Sequence, residues 1–317
     1  MNSKPLVTVT VLCYNFEKYI DDCLSSIVRQ ITDFPFLVIV GDDCSTDGSR
    51  KIIEKYAMQY PELIKTVFLE KNVGAKKNIE TLVSLCESDY IAHCDGDDYF
   101  YPDKLQRQVN ALQENPGCSM VFHKVELVDE AGESVGYKGN RSQKKISAIE
   151  DLVMHSNYIT HSSKMYRRSS IPQPGFSMYS CARALDYLWN IESASSGNVV
   201  YIDQALGAYR KHNQGVDSAP IENHWRNFYG NHRALEKAKK CGVNKDIMDI
   251  GYANMYLMFA RRYAKARRYK SARKLIVKSY RHRYIGGRQI LYCILLRSPR
   301  TLELVSAIRS KVLTMLG

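Results

Sequence analysis

A chain of 317 residues, 45% hydrophobic and 25% charged, can bury a large core and is too even in composition for a fibrous or low-complexity protein. No apolar run reaches the ~18 residues of a membrane-spanning helix, and nine scattered cysteines without a C-x-x-C pair suggest neither a disulfide framework nor a zinc site, which fits a reducing cytoplasm. The net charge of +12 is not evenly spread; it gathers in the last third of the chain.

Leu6 to Leu12 reads L-V-T-V-T-V-L, a first strand that leads straight into Tyr14-Asn15. With a single lysine ahead of it and no small-residue cleavage site, it is a core strand and not a signal peptide. Asn15 is expected to cap a helix whose apolar face is Ile20, Cys23, Leu24, Ile27 and Val28. Phe36 to Val40 is a second strand, apolar throughout, running into G-D-D-C-S-T-D-G-S at 41–49. Ser45 or Thr46 is expected to cap the next helix, with Ile52, Ile53, Tyr56 and Ala57 inward. Lys65 to Leu69 is a third strand. After Asn72-Val73-Gly74 comes a helix carrying Ile79, Leu82 and Val83, and then a short buried strand from Tyr90 to Cys94. Asp95-Gly96-Asp97-Asp98 follows at once, its glycine allowing a sharp turn, with Pro102 expected to open the next helix.

Strands alternating with helices across short connections imply a doubly wound α/β sheet, whose ligands sit at the carboxyl ends of the strands. Three polar loops meet there: Tyr14-Asn15, Asp42 to Gly48, and Asp95 to Asp98. Carboxylates crowded at a strand tip repel one another unless a cation lies between them, and a hard divalent ion carrying a diphosphate suits that role. An isolated D-x-D reads equally well as an acidic surface turn. The second loop is too acidic to cradle phosphates and lacks both G-x-G-x-x-G and a P-loop lysine, which argues against a dinucleotide oxidoreductase or an NTPase. Asp43, at the strand tip, is suited to accept from a base N–H or a ribose hydroxyl, while Asp47 is the better candidate for an Asx-turn.

V-T-V-T-V-L-C-Y-N, V-G-D-D-C-S-T-D-G-S, N-V-G-A-K-K-N and C-D-G-D-D-Y-F-Y-P-D-K-L, in this order and at this spacing, closely resemble the nucleotide-binding half of the family 2 glycosyltransferases. The resemblance implies a GT-A fold, that is, a doubly wound, Rossmann-like mixed sheet with flanking helices. It also implies a nucleotide-sugar donor, usually a UDP-sugar, and Mn²⁺ or Mg²⁺. The implied donor site takes in Tyr14, Asn15, Asp43 as the base-contacting acid, Asp95 as the donor-contacting acid, and Gly96. Asp97 is the implied metal ligand. Lys77 and Asn78 stand where nucleotide contacts are common, or on a solvated helix face. Cys44 departs from the family, where glycine is common, and is expected to tighten the turn without abolishing binding.

Beyond Pro102 a helix bears Leu105, Val109 and Leu112 and stops at Asn115-Pro116-Gly117. Cys118 to Val128 is strand-like, and 131–147 reads as a mobile loop whose Asn140-Arg141-Ser142 sequon is discounted in a chain without secretion features. The tracts T-H-S-S-K-M-Y-R-R at 160–168, A-R-A-L-D-Y-L-W at 182–189 and Y-I-D-Q-A-L-G-A-Y-R-K-H at 201–212 resemble the acceptor half of the same family. The resemblance makes Asp186 the catalytic base, although Leu185 stands where many members have a first Glu; the plain alternative is a helix N-terminal charge. His212 completes the metal shell by the same resemblance, or else closes onto phosphate, or is simply packed. A departing diphosphate needs its charge neutralised, and the acceptor hydroxyl needs a base on the opposite face. One displacement inverts the anomeric carbon.

The implied division is 1–117 for the nucleotide-sugar half, 118–218 for the acceptor half and 219–317 for a basic helical region. No acidic residue lies between Asp249 and Glu303, while basic residues alternate with Tyr263, Ala264, Tyr269, Ala272, Leu275 and Ile276. One-signed charge beside an apolar stripe favours an anionic membrane surface reached through 250–302. A helical hairpin packed on the catalytic domain or on a second subunit, in a homo-oligomer, is the other reading. Nucleic acid is disfavoured because no binding motif accompanies the charge.

These observations lead to a cytoplasmic, peripheral, inverting glycosyltransferase of surface-polysaccharide or glycolipid assembly, acting on a glycan or lipid-linked glycan. A catalytically inactive glycolipid- or membrane-binding scaffold and a sugar nucleotidyltransferase are the rivals. The second would need a Gly-rich, basic first loop, and 12–15 has none.

Overall fold

The computed structural model describes residues 4–138, 144–171, 185–212 and 224–295. The first half runs β1 (Val7–Cys13), α1 (Ile20–Val28), β2 (Phe36–Asp42), α2 (Ser49–Gln59), β3 (Ile64–Phe68), α3 (Ala75–Ser84) and β4 (Tyr90–Asp95). The alternation expected from hydrophobic periodicity is therefore present, with β1 parallel to β2 and β4, and β2 parallel to β3.

The second half runs β5 (Tyr99–Phe100), α4 (Lys104–Glu114), β6 (Cys118–Val128), β7 (Ser134–Lys138), β8 (Ile146–Ser147), α5 (Ile149–His155), β9 (Lys164–Arg167), α6 (Leu185–Ala194) and β10 (Asn198–Arg210). The sheet order is β3-β2-β1-β4-β9-β6-β10-β5, with β7 on β6 and β8 on β10. The sheet is mixed because β9 enters antiparallel between β4 and β6. Part of the segment read as a mobile loop is thus ordered: β7 pairs along β6 and β8 along β10. The Asn140-Arg141-Ser142 sequon lies outside the described residues.

Both faces of the sheet are covered. Alternate residues of β1, Val7, Val9 and Val11, pack with Ile20, Leu24 and Ile27 of α1 and with Leu105, Val109 and Leu112 of α4. The other face buries Ile39, Ile91, Met120 and Phe122 against Leu82, Leu152, Leu188, Leu235 and Phe259. Each fully buried Leu, Ile or Phe contributes about 1.5–3 kcal/mol relative to exposure.

Four helices follow: α7 (His224–Lys240), α8 (Lys245–Lys265), α9 (Tyr269–His282) and α10 (Gly287–Leu295). Asn244 caps α8 by accepting from the Ile247 N–H at 3.0 Å. The middle of α8 is buried, and Asn254 fixes it to the main body by donating to the Met154 carbonyl at 2.8 Å. The expected apolar stripe turns inward: Ala264, Ala272 and Ile276 are buried in the α8–α9 seam, with Tyr263, Tyr269 and Leu275 packed against them. A helical hairpin on the main body is what forms, with its basic side outward. Among the described residues no helix is long and apolar enough to cross a membrane.

Candidate active site

In the sheet register Cys13 pairs with Asp42 and Leu12 with Asp95, so the tips of β1, β2 and β4 end level and their loops face one another. Asn15 does not cap α1, whose first residue is Ile20. With φ at +56°, a conformation asparagine tolerates, its Oδ1 accepts from the Thr46 N–H at 2.8 Å and its N–H donates to Ser45 Oγ at 2.9 Å. Phe16 N–H donates to Ser49 Oγ and Glu17 N–H to Asp47 Oδ2, so the first loop is laced to the second. Neither Ser45 nor Thr46 caps α2; Asp47 Oδ1 accepts from the Ser49 N–H, as an Asx-turn requires. The first loop and His212 border a cleft of about 440 Å³ that also includes Tyr19, Thr46, Asp47 and Glu130.

Asp43 is 3% exposed, and its two oxygens accept from Val73 N–H at 2.7 Å and Gly74 N–H at 2.8 Å. It shapes the loop before α3, with lone pairs left for a further donor. Tyr14 is 42% exposed at the mouth of the loops. Lys77 is solvated and pairs with Glu80 at 3.8 Å. Asn78 lies under the sheet, 1% exposed, its amide donating to the Gly41 carbonyl at 2.9 Å. Of the pair expected near nucleotide, Asn78 is thus engaged in packing.

At the tip of β4, Gly96 N–H donates to the Leu12 carbonyl at 2.8 Å, and a Cβ at Gly96 would stand 2.8 Å from that oxygen and 3.1 Å from Phe16 and Ile20. Close approach, and not a left-handed turn, is what requires glycine there. Asp97 Oδ2 lies 2.7 Å from His212 Nε2, and the two side chains are 15% and 3% exposed. The hydrogen bond to Asp97 raises the His212 pKa, with burial opposing.

Asp98 is buried beneath them. It accepts the Ser162 hydroxyl at 2.5 Å and the Arg210 N–H at 2.9 Å. Arg210 in turn donates to the Asp97 carbonyl at 3.1 Å and to Asp22 Oδ2 at 2.9 Å, so the end of β10 grips the acidic turn. Burial, followed by the charges of Asp97 and Asp95, pushes the Asp98 carboxyl well above its ordinary range. Asp95 is pushed up to about 6 by burial, with Asp97 and Asp186 adding to the shift and His161 and Lys164 opposing it. Two lysines buried among these acids, Lys104 and Lys164, are drawn down to about 7 and about 8 by burial.

Because β9 runs antiparallel to β4, the 3-10 turn just ahead of it, His161–Ser163, arrives at the carboxyl end of β4. There Ser162 Oγ also accepts the Asp95 N–H at 3.0 Å. The neighbouring residue, His161, sets its Nδ1 3.3 Å from Oδ1 of Asp186, in the first turn of α6. Burial would raise the Asp186 carboxyl, but His161 beside it, and then Lys164, hold it well below the usual carboxylate range. The site therefore brings together Asp95, Asp97, His212 and Asp186. Four supporting residues had no role assigned from sequence: Asp98, His161, Ser162 and Arg210. The signals were the doubled aspartate and the T-H-S and Y-R tracts, which carry resemblance but no readable geometry.

Residues 8–173 match the family model described as Glycosyl transferase family 2. The chain belongs to glycosyl transferase family 2. Over 239 residues this family 2 glycosyltransferase is 28% identical to an uncharacterized protein of Mycobacterium tuberculosis, the match taking in 75% of this chain and 65% of that protein. Over 131 residues it is 36% identical to the putative teichuronic acid biosynthesis glycosyltransferase TuaG of Bacillus subtilis, 41% of this chain and 51% of that one. The chain thus spans under two thirds of the length of these curated relatives. TarS of S. aureus, in complex with UDP-GlcNAc, has a similar fold with a TM-score of 0.62 at 19% identity, over 93% of this chain and 88% of TarS. The mannosyltransferase PcManGT of Pyrobaculum calidifontis, in complex with GDP-Man and Mn2+, gives a TM-score of 0.58 at 16% identity, over 98% and 83%. At such identity these two likenesses concern the fold, which is GT-A.

Proposed function

We propose that this family 2 glycosyltransferase moves a sugar from a nucleotide-sugar, a UDP-sugar first among them, to a hydroxyl of a glycan or lipid-linked glycan, with inversion at the anomeric carbon. One observation carries the reading: consecutive residues, His161 and Ser162, contact Asp186 on one side and Asp95 and Asp98 on the other. One turn thereby bridges the proposed acceptor-side acid and the proposed donor-side acids.

In this reading Asp43 accepts from the nucleobase, Asp95 accepts a donor hydroxyl, and Tyr14, Asn15 and Gly96 form the wall beside the diphosphate. Lys77 keeps a place next to the nucleotide, while Asn78 supports the tip of β2 from beneath through the Gly41 carbonyl. Asp97 and His212 would hold Mn²⁺ or Mg²⁺. Among the described residues no cluster of three or more His, Cys, Asp or Glu is suited to a metal, so two protein donors would be completed by diphosphate oxygens, the usual arrangement for such ions with phosphate substrates. The bound ion supplies Lewis-acid neutralisation of the leaving diphosphate. Asp186 accepts the proton of the incoming hydroxyl late along an oxocarbenium-like path, so a carboxylate held ionised is adequate as the base.

The acceptor side is proposed to face an anionic membrane on the inner surface of the cell. The outer face of α9 carries Lys270, Lys274, Lys278 and Arg281 beside exposed Val277 and Tyr280, and α10 exposes Ile290, Leu291 and Ile294. Basic and apolar groups side by side are matched by anionic lipid, whereas a second copy of a chain with charge +12 would repel this face. A thermal-shift screen of nucleotide-sugars with and without Mn²⁺ tests the central claim. Stabilisation by one nucleotide-sugar is expected, greater with the ion; no response to any of them would sink the reading.

A further inference from the structure

Asp186 is the base of the proposed reaction, and its side chain is 42% exposed, enough to swing if nothing held it. What stands against it is a small stack built on the sheet. His93, in the middle of β4, is fully buried, and its Nδ1 lies 2.5 Å from the hydroxyl of Thr10 on β1. His161 stacks on that ring with centroids 4.9 Å apart and planes 11° from parallel. Trp189, one turn beyond Asp186 on α6, meets the edge of the same ring at 5.0 Å. His161 is therefore fixed by its backbone turn and by a ring that is itself fixed by two strands.

We propose that His161 is a positioning residue for Asp186: seated on the His93 ring, it holds Oδ1 of the carboxylate and leaves the other oxygen directed at the acceptor hydroxyl. The proposal rests on the assignment of Asp186 as the base. Burial first, then the charges of His161 and Lys164, drives the His93 pKa well below its usual value, so that ring is neutral. The ionisable groups facing the pair are His93 and Asp95 from β4, Lys164 and Tyr166 from β9, and Lys104 from α4. Among them His161 is the group paired in space with Asp186, so its removal should raise the carboxyl, with Lys164 still opposing burial.

The test uses the full chain and the nucleotide-sugar that turns over in the screen. For His161→Ala, kcat should fall about 100-fold, the loss typical of a misplaced reacting group, while KM for the donor stays within about twofold of wild type. The acid limb of the kcat profile should move to higher pH, and His161→Gln, which restores a polar contact, should recover part of the rate. A crystal structure of His161→Ala should have the Asp186 carboxylate turned away from its wild-type position. An unchanged kcat, a loss confined to KM, or an Asp186 that stays in place overturns the proposal. Failure of wild type to bind any nucleotide-sugar would instead strike the proposed function.

Discussion

Cys44 has a φ of +61°, in the left-handed region, at a position where the sequence resemblance implies glycine. The side chain is tolerated because Sγ reaches out to the Glu70 carbonyl at 3.5 Å. A β-branched residue has no such latitude, so Cys44→Val should lower stability by about 1–2 kcal/mol in chemical denaturation. Cys44→Gly should stay within about 1 kcal/mol of wild type, relief of strain being offset by lost chain stiffness. Asp186→Asn, which cannot take a proton, should lower transfer by about 10²–10⁴-fold while nucleotide binding, read by calorimetry, is kept. Asp97→Ala should lose transfer together with the Mn²⁺-dependent part of donor binding. At this scale the position of the acids at the strand tips was legible, because each acidic run follows directly on an apolar strand. Their supports were not: Ser162 and His161 act through backbone geometry that a tract of small polar residues does not announce, and the packing role of Asn78 depends on how closely α3 lies on β2.

Elements were read correctly where a single period ran long enough. β1, β2 and α1 follow from alternating valines and from the i, i+3, i+4 spacing of Ile20, Cys23, Leu24 and Ile27. The short, reversed β9 was not, since four residues, K-M-Y-R, carry no direction. Yet that reversal delivers the His161–Ser163 turn to the acidic tip. Pro102 likewise precedes α4 by two residues, because Asp103 adopts a left-handed conformation before the helix starts at Lys104. Gly96→Ala tests how tightly β4 and β1 meet: its methyl would press on the backbone oxygen of Leu12, which cannot yield as a side chain would. Overpacking of this kind should cost about 1–3 kcal/mol in stability, and turnover should fall further as Asp95 and Asp97 shift.

Across the whole molecule the charge is divided. Acids crowd the carboxyl edge of the sheet, while the outer face of α9 is basic, with no acidic residue from 250 to 302 to balance it. The excess was plain from sequence; its direction was not, since the apolar partners first read as a lipid-facing stripe are the ones folded inward. Reversal of Lys270, Lys274 and Lys278 to glutamate should remove at least about 3 kcal/mol of attraction to anionic vesicles, at about 1 kcal/mol per basic residue. Sedimentation with phosphatidylserine-containing liposomes should then fall about a hundredfold in partition coefficient, with donor hydrolysis in free solution unchanged. Equal sedimentation of wild type and variant would remove the lipid surface from the account.

Thr10 never approaches the cleft, yet its hydroxyl is what steadies the buried His93 ring. Valine in its place would keep the shape of the core and lose the hydroxyl's contacts with the His93 ring and with the Ala92 carbonyl at 3.3 Å. Reaction rate in this protein is therefore open to tuning from the deep interior of its first strand, by a substitution that no inspection of the substrate-facing wall would single out.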